Sequence, residues 1–501
     1  MTLFEISSIV IALSALFGYI NVKILKLPNT IGLMIIAILF TVVLFISKQF
    51  SPVLMDSATT LIGAINFEMV LMDVMLGFLL FAGAMHTNFD QLKVQRWPVL
   101  VFATLGVLCS TFLVGFGVWL AFGWIGLNPK FIHCLLFGAL ISPTDPIAVL
   151  GILKQARVPK KLETKIVGES LFNDGVGVVV FLTIFNIATG GQAPGHDHHE
   201  TDDHHAHVHQ IDNDQTRNSQ PKAIGFNRTN GFNGINGLTN VSLVKVEHSH
   251  EDPATHEDAA THAGGHDSDH SHTPGVFEIA KLFVVEVGGG ILLGLILGYG
   301  TFQLLRSIDD YEIEVMITLA CVMGGCSLAQ YLHISAPLAM VVAGLIVGND
   351  TVRGTAMSKQ TEIYVDKFWE LIDILLNAIL FVLIGLELLV LEVDQTVLAA
   401  AGIAIGIVLA ARFLSLMLPV MFFAKRLDFV PHTTTIMTWG GLRGGISIAL
   451  ALILPEECRG LFLAVTYGVV VFSIIVQGLS VGKLAGRLIG ADNLETASDG
   501  H

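Results

Sequence analysis

Runs of about 20 apolar residues recur almost from end to end of this chain, and each is long enough to cross ~30 Å of hydrocarbon as a helix. Thirteen can be drawn, near 3–22, 31–47, 66–86, 97–124, 131–153, 164–188, 276–304, 313–331, 335–349, 366–391, 396–424, 431–453 and 459–482. Within a bilayer a segment must satisfy its own backbone hydrogen bonds, so runs of this length fold as helices. The composition agrees: of 501 residues 53% are apolar and only 14% charged, far from the usual balance of a soluble domain. The expected fold class is an all-α polytopic membrane protein, and the bilayer is its first partner. The opening run lacks a basic flank and reads as a retained helix rather than a cleaved signal. The five cysteines, Cys109, Cys134, Cys321, Cys326 and Cys458, have no metal-ligand spacing and suggest no disulfide framework. No nucleic-acid partner is expected.

The basic residues orient the chain. With the N-terminus outside, cytoplasmic loops hold Lys23 and Lys26, Lys93 and Arg96, Lys154 to Lys165, Arg306, Arg353 to Lys367, and Lys425 and Arg426, with Lys483 and Arg487 in the tail. The short loops opposite hold only Lys48, Lys130 and Arg459. That alternation places the C-terminus in the cytoplasm. With Lys281 counted among the basic residues in or beside the long loop at 189–275, Arg412 and Arg443 are the two left inside predicted spans, where each needs a partner or a wet cavity. A structural clamp between helices is one reading of each.

One segment is not membrane. Residues 189–275 carry 14 of the 19 histidines and 13 acidic residues, a composition unable to bury enough apolar surface to fold alone. It is expected to be a disordered extracytoplasmic insertion. Its imidazoles suit transition-metal capture or pH sensing; the plainer expectation is a tolerated solvated loop.

Chemistry concentrates in the fifth and sixth runs. Ser142-Pro143-Thr144-Asp145-Pro146 interrupts an apolar run, and two prolines there remove amide donors and break a helix. The freed carbonyls and half-helix ends then line a polar site at mid-membrane. The sixth run opens Gly168-Glu169-Ser170-Leu171-Phe172-Asn173-Asp174. On a helix, Ser170 and Asp174 share one face, as do Glu169 and Asn173. Asp145, Glu169 and Asp174 are thus expected to meet in the membrane. One such carboxylate could be structural, but two adjacent helices carrying them beside a break point to function. A carboxylate holds either a sodium ion or a proton, so competition for it is already an exchange mechanism.

A second interruption sits where inverted symmetry requires it. If the seventh run is a linker, runs one to six and eight to thirteen form two repeats of opposite orientation, and the fifth corresponds to the twelfth. The twelfth contains Trp439-Gly440-Gly441-Leu442-Arg443-Gly444-Gly445, whose four glycines weaken a helix at its middle. Paired interrupted helices are a sequence pointer to a midplane site.

These motifs resemble the signatures of the monovalent cation/proton antiporters, in the branch uniting prokaryotic sodium/proton antiporters with sodium/hydrogen exchangers. Phe368-Trp369-Glu370, Asn377 and the stretch from Phe381 to Glu387 also look like that branch. The similarity runs through nearly all the membrane part, in order. It implies secondary active exchange of sodium, with lithium or potassium as alternatives, for protons, serving pH homeostasis. It implies no cofactor and no enzymatic reaction. It further implies a homodimer whose core, carrying crossed discontinuous helices, moves as an elevator in a bacterial inner membrane. The aspartate matching Asp174 binds sodium or a proton in the family; Ser170 and the Thr144 backbone are implied as further ligands, and Asn173 as the partner steadying the Asp145 region. The Asn-Asp pair implies electroneutral exchange. Glu169 is implied to pair with Arg412, with Arg443 as the alternative. Leu79 to Ala84 stand where several relatives carry an acidic residue, which bears on affinity and ion preference.

The expected domains are an N-terminal repeat at 1–188, the insertion at 189–275, a linker helix at 276–304, a C-terminal repeat at 313–485 and a cytoplasmic tail at 486–501. The histidines raise a rival, a divalent-metal transporter, but the spans lack the paired His and Asp ligands that zinc favours. A membrane enzyme would need a nucleophile and base, and the spans offer none.

Overall fold

A computed structural model describes residues 3–47, 69–87, 89–145, 149, 160–189, 276–349, 357–389, 391, 394–423 and 432–498. The histidine-rich insertion, Pro146 and the lysines at 154 and 425 lie outside the described residues, among which there is no strand. The helices are α1 (Leu3–Ile20), α2 (Asn29–Ser47), α3 (Val70–Met85), α4 (Arg96–Trp124), α5 (Phe131–Ile141), α6 (Lys160–Ala188), α7 (Val276–Arg306), α8 (Tyr311–Tyr331), α9 (Ala336–Val347), α10 (Lys359–Glu387), α11 (Gln395–Phe423), α12 (Thr433–Gly440), α13 (Gly445–Leu452), α14 (Glu456–Phe472) and α15 (Gly478–Ser498). Each of the thirteen apolar runs contains at least one of them. The twelfth is split into α12 and α13, and a π turn at Ser473–Gln477 joins α14 to α15.

Nine of the described helical stretches are long and apolar enough to cross a membrane; the helices at 70–85, 131–141 and 336–347 are shorter. Large apolar side chains such as Phe4, Trp124 and Phe422 are more than four-fifths exposed. On a soluble protein such surface would be a liability, whereas here it is what lipid covers. Burial is uneven: α6 is mostly enclosed, α1 and α7 mostly exposed. The polar sixth run is therefore placed at the centre of the bundle.

Close helix approaches build that centre. Gly290, Gly294 and Gly298, at four-residue spacing, let α7 lie against α9; a Cβ on Gly294 would stand 2.5 Å from the Ala339 carbonyl oxygen. Gly138 brings α5 against α4 at the Thr111 carbonyl. Thr41 Oγ1 donates to Gly385 O at 2.6 Å and ties α2 to α10. The Phe-Trp-Glu stretch has a packing role: Trp369 Nε1 donates to Thr318 Oγ1 at 3.0 Å, and its ring lies 4.7 Å from that of Phe81. This pins α10 to α8 and α3.

Candidate functional site

The break after α5 comes where the prolines predict it. Helix ends at Ile141, and Ser142 to Asp145 run on without helical bonding. Ser142 Oγ donates to Gly138 O at 2.7 Å, back-bonding that favours leaving the helix. The second break, Gly441 to Gly444, lies across the first. Asp145 N donates to Leu442 O at 2.7 Å, while Arg443 Nη1 donates to the carbonyls of Ser142 and of Pro143, the latter at 2.9 Å. Two interrupted helices thus satisfy each other's orphaned backbone groups, as buried amides require.

The sixth run holds the first break from the other side. Asn173 Oδ1 accepts from Thr144 N at 3.1 Å, and Asn173 Nδ2 donates to Thr144 Oγ1 and to Glu169 Oε1, both at 2.8 Å. Thr144 Oγ1 is also 2.8 Å from Ser170 Oγ. Glu169 then meets Arg412 of α11 in a fork, Nη1 to Oε1 and Nη2 to Oε2, each at 2.7 Å. All of these side chains are at least 97% buried. Of the two arginines, Arg412 pairs with Glu169, whereas Arg443 is spent on carbonyls.

Asp174, 3% exposed, has Asp145, Glu169 and Arg443 as its charged neighbours. It lines a cavity of about 40 Å³ together with Pro143, Thr144, Asp145, Asn377 and Ser447. That is room for an ion with one or two waters. Leu79, Leu80 and Gly83 form an apolar side of the same cavity. Ser170 and Asn173 do not line it; they act on Thr144 instead. Arg412 and Arg443 border a separate, smaller cavity behind the breaks. Among the described residues no group of three His, Cys, Asp or Glu is placed to hold a metal ion.

The profile of the family described as "Sodium/hydrogen exchanger, transmembrane" matches residues 11–200 and 259–486. The chain belongs to the sodium/hydrogen exchanger family. This exchanger-family chain is 42% identical to the Na(+)/H(+) antiporter NhaP of Pseudomonas aeruginosa over 497 residues, 98% of each protein. It is 27% identical to the Na(+)/H(+) antiporter NhaH of Halobacillus dabanensis over 475 residues, 93% of each. Its fold matches that of the sodium proton antiporter MjNhaP1 of Methanocaldococcus jannaschii with a TM-score of 0.63 at 18% identity, covering 96% of this chain and 97% of that one. The exchanger fold is thus all-helical, with two crossed discontinuous helices.

Sequence reasoning missed several groups of this exchanger's site. Ser473 Oγ accepts from Arg443 N at 2.9 Å, and Gln477 Nε2 donates to Trp439 O at 3.0 Å, so the π turn of Ser473–Gln477 caps the second break. A π turn has no compositional signature, and only its polar residues inside an apolar run could have drawn attention. Asp373, four residues before the Asn377 that the resemblance had singled out on α10, was visible in the same way. Lys165, counted with the loop lysines, is wholly buried in α6.

Proposed function

We propose that this protein is a secondary antiporter exchanging sodium for protons, with the two ions competing for Asp174. The observation that carries the reading is the placement of that buried carboxylate in a small cavity where two broken helices cross. Sodium is a hard cation that takes oxygen ligands. Asp174 supplies the charge, Thr144 contributes oxygen at the break, and Asp145 adds negative potential. Ser170 acts as a further ligand when the cation draws its hydroxyl from Thr144. Asn173 steadies the break, and the Glu169–Arg412 pair holds α6 to α11.

The protein works by alternating access as a homodimer, its core moving as an elevator past a fixed dimerisation surface. Residues 1–188 and 313–485 act as inverted repeats joined by the linker at 276–304, with 189–275 outside and the 486–501 tail in the cytoplasm. The protein sits in the inner membrane of a bacterium with its N-terminus out.

Purified protein in proteoliposomes, given a sodium gradient and an entrapped pH dye, is expected to acidify or alkalinise the lumen according to the gradient's direction. Asp174→Asn, which keeps the volume and loses the titrating charge, is expected to abolish this flux while remaining folded. Substantial sodium-driven proton flux through that variant would remove Asp174 from its role.

A further inference from the structure

Asn377 sits on α10 in the middle of an apolar stretch and is 6% exposed. Its amide nitrogen donates twice, to the carbonyl oxygen of Asp373 at 2.9 Å and to Asp373 Oδ1 at 3.0 Å. The carbonyl oxygen of Asp373 can only accept, so the nitrogen must face it; an amide oxygen turned that way would meet another oxygen. The side chain's orientation is therefore set, and its oxygen is carried on the side away from Asp373. Asn377 forms part of the wall of the cavity that also holds Asp145 and Asp174. Asp145 is in turn a charged neighbour of Asp373, which places the Asp373–Asn377 pair at the edge of the same site.

We infer that Asn377 Oδ1 is a neutral ligand for the transported cation, and that Asp373 is the positioning residue that turns it toward the ion. This rests on the reading of Asp174 as the exchange carboxylate. An amide oxygen offers lone pairs to a hard cation, but it does not take up a proton in the physiological range as a carboxylate does. Asn377 therefore strengthens the sodium-loaded state without strengthening the proton-loaded one. It biases the competition at Asp174 toward the cation while adding no charge to either state. A second carboxylate in its place would attract both ions and blur that distinction. Leu79 and Leu80 line the same cavity without a side-chain oxygen, and Asn377 is the polar side chain that α10 brings to it.

The test is the sodium dependence of proton flux in proteoliposomes at fixed pH, with thermal melting measured in parallel. Asn377→Leu keeps an uncharged side chain of similar volume and removes the oxygen. It is expected to raise KM for sodium about tenfold, the equivalent of one lost contact to a charged group, with Vmax kept within about twofold. The ranking of lithium, sodium and potassium by KM should shift as well, since the removed ligand helps set the size of the cage. Asp373→Leu leaves Asn377 in place and frees its amide, and a rise of about threefold in KM is expected. A merely structural role would lower the melting temperature or Vmax and leave KM and the ranking alone; that result overturns the inference.

If Asn377→Leu fails to fold, Asn377→Ser and Asp373→Leu still decide the matter by the same split of KM against Vmax. A raised KM in Asn377→Leu with an unchanged KM in Asp373→Leu would overturn the positioning half alone. Asp174→Asn is run beside them. Exchange by that variant would sink the underlying reading, whereas a dead Asp174→Asn beside an Asn377→Leu of unchanged KM would sink only the present inference.

Discussion

Arg412 and Glu169 meet through two parallel hydrogen bonds of 2.7 Å between side chains no more than 3% exposed. The pair joins α11 to α6, and through Asn173 the same carboxylate reaches the break at Thr144. A planar guanidinium matched to a carboxylate in this way is the strong form of the interaction. Much of its importance lies in what happens when one half is removed.

Glu169→Ala is expected to destabilise the protein by ~3–5 kcal/mol, because Arg412 would be left charged and unpaired in a low-dielectric interior. Replacing both partners, as in Glu169→Leu with Arg412→Met, should recover a large part of the loss. Melting temperatures of the two single variants and the double variant in detergent form the test. A Glu169→Ala protein melting like wild type would show that the pair contributes no more than a surface bridge.

The surface comparison is present in the same molecule. Lys130 and Glu457 also approach to 2.6 Å, but both side chains are 66% exposed. Such a pair is screened by solvent and contributes little to stability. Lys130→Ala is expected to leave the melting temperature nearly unchanged, and a large drop would mean that the loop before α5 is held by this contact.

Much of this architecture was legible in the sequence for a simple reason: span length and polar interruption are local properties. Ser142-Pro143-Thr144-Asp145 reads as a break because proline cannot donate, and Glu169 with Asn173 reads as one helix face because of the helical period. What the chain does not display locally is which distant residue completes each contact. As lone charges in apolar runs Arg412 and Arg443 were alike, and only the resemblance put Arg412 first for Glu169. Their positions in space separate them, one reaching Glu169 and the other the carbonyls of Ser142 and Pro143. The orientation of the Asn377 amide was hidden in the same way, because it depends on a four-residue hydrogen bond within α10 whose outcome matters only beside a cavity built by other helices.

Gly177 of α6 offers a test of how tightly the break is held. A Cβ there would collide with the ring of Pro143, which has little freedom to give way. Gly177→Ala is expected to cost ~1–3 kcal/mol by overpacking. It should also slow exchange, since the Pro143 carbonyl takes a bond from Arg443. Melting and flux measured on one preparation are expected to fall together. An unaltered melting curve would mean that the proline moves freely and that the break is softer than its bonding suggests.

The family match runs over residues 11–200 and 259–486 and passes over 201–258. That gap falls within the histidine-rich stretch. Deleting 201–258 is expected to leave the sodium-driven proton flux within about twofold of wild type in metal-free buffer. A folded deletion variant without exchange would give the segment a direct part in transport.

Charge movement follows from counting the groups that titrate. Asn173 cannot carry a proton, and both its amide hydrogens and its oxygen are already engaged. Glu169 is held by Arg412 in a fork that uses both of its oxygens. If Asp174 alone alternates between sodium and a proton, the loaded site carries the same net charge in both directions, and the membrane potential does no work on the cycle. A single uncompensated charge would gain ~2.3 kcal/mol per 100 mV, a bias large enough to shift a steady state many-fold. A potassium diffusion potential set with valinomycin is therefore expected to leave the sodium-driven pH gradient at steady state unchanged. A gradient that follows the imposed voltage would require a second titrating group. Asp145 would then be the first suspect, because it shares the cavity with Asp174 and is one of its charged neighbours.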